Sequence, residues 1–391
     1  MIVQHLAVRP ALAVAVCAAL LFTAGCSSGD DGRPDKARTS APSTSADGSA
    51  TSPKPGAVPP AEGTVTVGRT AATGLRSPWG LALLPDDDLL VSSRDEGTLT
   101  RVEPQSRKKT ELGSVPGVAP GGEGGLLGIA LSPDYATDHM VYAYFTTESD
   151  NRIARMRYDA KQPPGEQLGA PDTVFKGIPK GTNHNGGRIA FGPDGMLYVG
   201  TGETYRTELA QDKKSTGGKI LRLTPEGEPA PGNPFGDSPV YSYGHRNVQG
   251  LAWDGSGRLW ASEFGQDTWD ELNHIVAGDD YGWPDAEGRS GRSGYHDPIA
   301  QWRTDEASPS GIAYAEGSIW MAGLRGERLW RIPLHGAKAA HEPRAFLEGK
   351  YGRLRTVLSA GGGKLWLVTS ETDSRGTPKK GDDRILELRV S

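Results

Sequence analysis

One pattern is written six times along this chain, and it constrains the fold more than any other feature. Each copy opens with a small residue and a short apolar strand, turns through Pro, Asp or Gly, and returns as a second strand. The openings are Gly80-Leu-Ala-Leu, Gly128-Ile-Ala-Leu, Arg188-Ile-Ala-Phe, Gly250-Leu-Ala-Trp, Gly311-Ile-Ala-Tyr and Thr356-Val-Leu-Ser. They recur every 45 to 62 residues. Second strands often carry Trp or Tyr, as in Val141-Tyr-Ala-Tyr and Leu259-Trp-Ala-Ser, and third strands end near Arg, as in Leu329-Trp-Arg-Ile. A lone sheet of this kind leaves two apolar faces open, so the copies must stack. The reading is an all-β fold, a six-bladed β-propeller with four-stranded antiparallel blades. The Gly-x-Ala positions suit a crowded innermost strand. Thr64 to Thr70 is expected to add a strand to the last blade and close the ring. A sandwich or an open solenoid is the alternative, and six similar units disfavour both.

Composition agrees with a large folded domain, expected over residues 63–391: hydrophobic residues are 36% and glycines number 54, enough for many tight turns. A net charge of −5 argues against nucleic acid as the main partner. Two cysteines build neither a disulfide scaffold nor a four-ligand zinc site. Residues 1–25 read as a signal peptide, with Arg9 before an apolar run from Ala11 to Phe22 that is short for a membrane span. The run ends in Thr23-Ala-Gly-Cys26, which resembles a bacterial lipobox. In that reading Cys26 is the lipidated first residue of an extracytoplasmic protein anchored in the cell membrane. Residues 26–62, rich in Ser, Thr, Pro and Gly, are expected to be a disordered tether.

Propeller geometry then selects residues. Innermost strands all run the same way, so the segments before them share one mouth of the channel, together with the loops between second and third strands. That mouth collects Glu123, Asn183, His184, His245, Arg246, Asn247, Arg353 and Arg355 from the first set. The second set adds Arg94, Glu203, Glu263, Gly265, Gln266, Arg325 and Glu371. Clustered guanidiniums suit a polycarboxylate ligand. A histidine beside such a ligand is a candidate proton acceptor. His245 is read as packing or orienting its loop, and Trp302 as a possible wall of a sugar site. No nucleophile elbow, His-Glu-x-x-His or phosphate loop is present.

Several linked motifs resemble the soluble PQQ-dependent glucose and aldose sugar dehydrogenases, a six-bladed propeller family. They are Glu123-Gly-Gly-Leu-Leu-Gly, Asn183-His-Asn-Gly-Gly-Arg, Gly217-Gly-Lys-Ile-Leu-Arg-Leu, Tyr243-Gly-His-Arg-Asn-Val-Gln-Gly, Asp270-Glu-Leu-Asn and Asp280-Tyr-Gly-Trp-Pro. The order matches from about residue 74 to 390. The resemblance implies oxidation of the C1 hydroxyl of an aldose to a lactone. His184 would take the hydroxyl proton, and a hydride would pass to C5 of the quinone. It further implies PQQ contacts from Glu123, Asn183, Arg246, Asn247, Arg325, Arg353 and Arg355, with Arg246 also stabilising charge on the reduced ring. A calcium on the carbonyls of Gly265 and Gln266 would polarise the quinone, and a structural calcium would use Glu271 and the carbonyl of Tyr281.

Three positions depart from better-known members: Glu123 replaces Gln, Arg325 replaces Lys, and Asn183 stands where Asp can occur. An anionic Glu123 would repel a cofactor carboxylate unless an arginine pairs with it or it is protonated. Two other readings remain open, a sugar- or protein-binding propeller without redox cofactor and a calcium-dependent lactone hydrolase. The sequence names neither the sugar nor the electron acceptor.

Overall fold

Alternation along the second strands decides how the sheets stack. In the second blade, Val141, Ala143 and Phe145 enter an apolar cluster with the first blade, while Tyr142 and Tyr144 enter another with the third. Each pair of neighbouring blades shares one such cluster, and the pair formed by the sixth and first blades closes the ring. Trp260, Trp320 and Trp366 are fully buried in these wedges. The computed structural model describes residues 58–391. The expected signal peptide, Cys26 and most of the tether lie outside the described residues.

The six sheets are antiparallel and follow chain order. Their innermost strands are Pro78–Leu83, Leu126–Leu131, Ile189–Phe191, Val248–Trp253, Pro309–Ala315 and Leu354–Ser359. Five blades have four strands; in the fifth, two short strands, Lys338–Ala339 and Arg344–Phe346, both pair with Leu329–His335. The expected closure is present: Val65–Ala72 pairs antiparallel with Ile385–Val390, so the sixth blade joins both ends of the described chain. Residues 59–62, expected in the tether, instead touch the fifth blade. Carbonyls of Pro60 and Ala61 accept from buried Arg331, and the Pro59 carbonyl lies 3.1 Å from His341 Nε2.

Crowding at the axis explains the small residues that open each blade. A Cβ on Gly128 would stand 2.2 Å from the Gly187 carbonyl oxygen, and one on Gly250 would stand 2.5 Å from that of Ser310. Arg188, which opens the third blade, reaches across this axis. Its Nε donates to the Gln249 carbonyl at 2.8 Å, its Nη2 donates to Thr356 Oγ1 at 3.0 Å, and its guanidinium stacks on Trp79 at 4.3 Å. Burial, with Arg355 nearby, lowers its pKa to about 9, so it remains a cation at neutral pH.

Candidate functional site

The loops that geometry selected converge on one cleft of about 410 Å³. Glu123, Asn183, His184, Arg246, Gly265, Gln266, Arg325, Arg353 and Arg355 all line it. Its walls carry six arginines against three carboxylates, those of Glu123, Asp270 and Asp373. This charge balance, with Trp79 and Phe264 as aromatic surfaces, fits a polycarboxylate.

His184 is held from behind. It is 4% exposed, and its Nδ1 lies 2.5 Å from Oε1 of Glu203, a fully buried residue. A carboxylate only accepts, so Nδ1 carries a proton, and in the neutral imidazole the lone pair then lies on Nε2. The His184 ring also packs on Tyr205, centroids 4.1 Å apart. The backbone of His184 is left-handed, at φ 54°, and Gly202 makes room for it, since a Cβ there would lie 1.9 Å from the His184 carbonyl oxygen. Asn247 supports the same loop by accepting the Gly186 N–H at 2.9 Å. It does not line the cleft, and its buried Nδ2 has no partner.

Arg246 is 6% exposed. One amino group donates to the Phe264 carbonyl at 3.2 Å, while its buried Nε has no partner within the protein. An unsatisfied buried donor of this kind asks for an acceptor. On the far wall, Arg353 and Arg355 both meet Asp373 Oδ2, at 3.0 and 2.9 Å. Burial alone would raise the Asp373 carboxyl, but the Arg355 and Arg353 guanidiniums pull it down to about 2. This depression below the ordinary 3.8 contributes about 2 kcal/mol of stability above pH 4, which is lost as pH falls towards 2. Urea midpoints should therefore separate the native chain from Asp373→Asn at pH 7 and converge near pH 2; a constant gap would refute the linkage.

Glu123 lines the cleft with its charge paired. Its Oε1 pairs with Arg375 Nη2 at 2.9 Å, and its Oε2 accepts the His184 N–H at 2.9 Å. The next segment offers metal donors. The Gly265 N–H goes to Asp270, and four successive N–H groups, from Gln266 to Trp269, converge on Oε1 of Glu287 at 2.7 to 3.1 Å. The carbonyls of Gly265 and Gln266 accept no hydrogen bond from a described residue. They are oxygen donors of the kind calcium takes.

Other expectations separate from the cleft. Glu271 and Tyr281 do not line it, and both Glu271 oxygens already accept N–H groups, from Gly288 and Asn273. No group of three or more His, Cys, Asp or Glu suited to a metal gathers among the described residues. Trp302 is no sugar wall: it is buried against Trp330, centroids 5.5 Å apart, because its strand faces the fifth blade. His245 packs as expected, between Glu263 and Ser242 and stacked on Tyr281. Sequence reasoning assigned no role to Glu203, or to Asp270 although it opens one of the linked motifs, and did not select Asp373 or Arg375. Loop position was the one signal for Glu203; Asp373 and Arg375 stand in a loop without periodicity.

The chain matches the glucose/sorbosone dehydrogenase family over residues 75–377. It belongs to that family. The PQQ-bound aldose sugar dehydrogenase of Streptomyces coelicolor superposes with a TM-score of 0.85 at 77% identity, covering 85% of this chain and 100% of that one. Aldose sugar dehydrogenase YliI of Escherichia coli is 29% identical over 329 residues, 76% of this chain and 88% of that protein. Quinoprotein glucose dehydrogenase B of Acinetobacter calcoaceticus is 30% identical over 281 residues, 63% of this chain and 59% of that protein. A glucose/sorbosone dehydrogenase of this kind is an oxidoreductase, and in this chain the loops bring His184 and six arginines together in one cleft.

Proposed function

We propose that this chain oxidises the C1 hydroxyl of aldose sugars to lactones with PQQ as cofactor and His184 as general base. The observation that carries the reading is the buried His184–Glu203 pair beside a cleft walled by six arginines. PQQ is a flat tricarboxylate, and the residues present suit it: Arg353 and Arg355 for carboxylates, Arg246 with its unpartnered Nε for an oxygen of the ring. When bound, the quinone supplies the hydride acceptor. A calcium ion would be held by the Gly265 and Gln266 carbonyls.

His184 Nε2 would take the C1 hydroxyl proton as the C–H bond breaks. Glu203 keeps the imidazole in the required tautomer and balances the cation that forms. Arg246 places positive charge where negative charge develops. The arginine-rich cleft disfavours the lactone hydrolase, which needs carboxylates converging on a metal.

The test is titration of the purified chain with PQQ in calcium buffer, followed by dye reduction with a panel of aldoses. Stoichiometric binding and sugar-dependent reduction are expected. Absence of PQQ binding, or lactone cleavage without it, would overturn the reading.

A further inference from the structure

The cleft is not bounded by Arg325, Arg353 and Arg375. The same three side chains also wall a second groove, of about 310 Å³, built from loops of the fifth and sixth blades. Arg325, Lys350, Arg353, Arg375, Lys379 and Arg384 bring six cations to it, against the three acids Glu327, Glu371 and Asp382. The whole chain has a net charge of −5, so this excess runs against its average.

Two of the three acids are already engaged. Glu371 accepts the N–H groups of Arg353 and Thr377, and Asp382 accepts that of Lys379 and pairs with Arg384. Arg353 and Arg375 have carboxylate partners in the first cleft. Among the described residues, Arg325, Lys350 and Lys379 have none; Lys350 lies over the Tyr351 ring at 5.4 Å.

We propose that this groove docks a small multivalent anionic electron acceptor beside the cofactor cleft, a role that rests on the sugar oxidation proposed above. An uncharged aldose gains nothing from these cations, and His184 does not line the groove. The shared arginine wall places a bound anion next to whatever the cleft holds. Exposed lysines speed the arrival of an anion by steering and hold it weakly, which suits a reagent that must leave after each turnover. The electrons balance: oxidising the C1 hydroxyl to a lactone releases two electrons and two protons. Two hexacyanoferrate(III) ions each take one electron, and the protons pass to solvent.

The test uses the full chain and the double variant Lys350→Glu/Lys379→Glu, neither residue lining the cofactor cleft. Calorimetric titration of the apo protein with hexacyanoferrate(II) should show binding that weakens roughly tenfold in the variant and falls with added salt. In the PQQ-loaded enzyme, KM for hexacyanoferrate(III) should rise by a similar factor. The KM for sugar and turnover with the cationic acceptor phenazine methosulfate should stay unchanged. Equal anion binding by both proteins, or a parallel change with both acceptors, overturns the proposal. Anion binding without sugar oxidation by any acceptor overturns the proposed function and the acceptor role with it, and leaves only an anion site.

Discussion

His184→Ala should lower kcat for aldose oxidation by about a thousandfold, with PQQ affinity changed no more than a few-fold. A positioned base contributes to the transition state, while the cofactor would be held mainly by the arginines of the cleft. Glu203→Gln should give an intermediate loss. Its amide still accepts the Nδ1–H but no longer offsets the imidazolium charge in a site where Glu203 is fully buried. Single-turnover reduction of bound PQQ by sugar separates this effect from substrate binding. An unaltered rate in His184→Ala would remove the histidine from the mechanism.

Arg246→Ala should weaken PQQ binding by about 2–3 kcal/mol, roughly a hundredfold in Kd. Its guanidinium is almost fully desolvated before any ligand arrives, and burial lowers its pKa from the ordinary value, partly offset by Glu203 and neighbouring acids. The cost of stripping water from the charge has thus been met in folding, and a cofactor oxygen would satisfy the unpartnered Nε. Lysine should not restore affinity, because it cannot bridge the Phe264 carbonyl and a ligand with one planar fork. Fluorescence titration of the apo variant reads this directly, and native-like affinity would show that the arginine serves the loop alone.

The propeller was legible because its blades obey a local rule. Alternation in Val141-Tyr-Ala-Tyr assigns side chains to two interfaces without reference to anything distant, and the Gly-x-Ala openings report axial crowding. The closing strand was legible for the same reason, its period of two. The gathering of His184, Arg246, Arg353 and Arg355 followed from strand direction, which fixes the mouth each loop enters.

What the sequence could not show are interactions whose partners meet only when the ring is closed. The pair Glu123–Arg375 joins residues about 250 positions apart, and it turns a substitution that looked repulsive into a neutral one. Asp373 collects two arginines, and Glu203 anchors His184, through loops that carry no period. Repeats, strand alternation and the side of the ring each loop faces were determined by the sequence itself, because short-range packing imposes them. Charge pairing in the cleft was decided only by the tertiary structure, because buried ions must be matched across blades by whatever the ring brings within 3 Å.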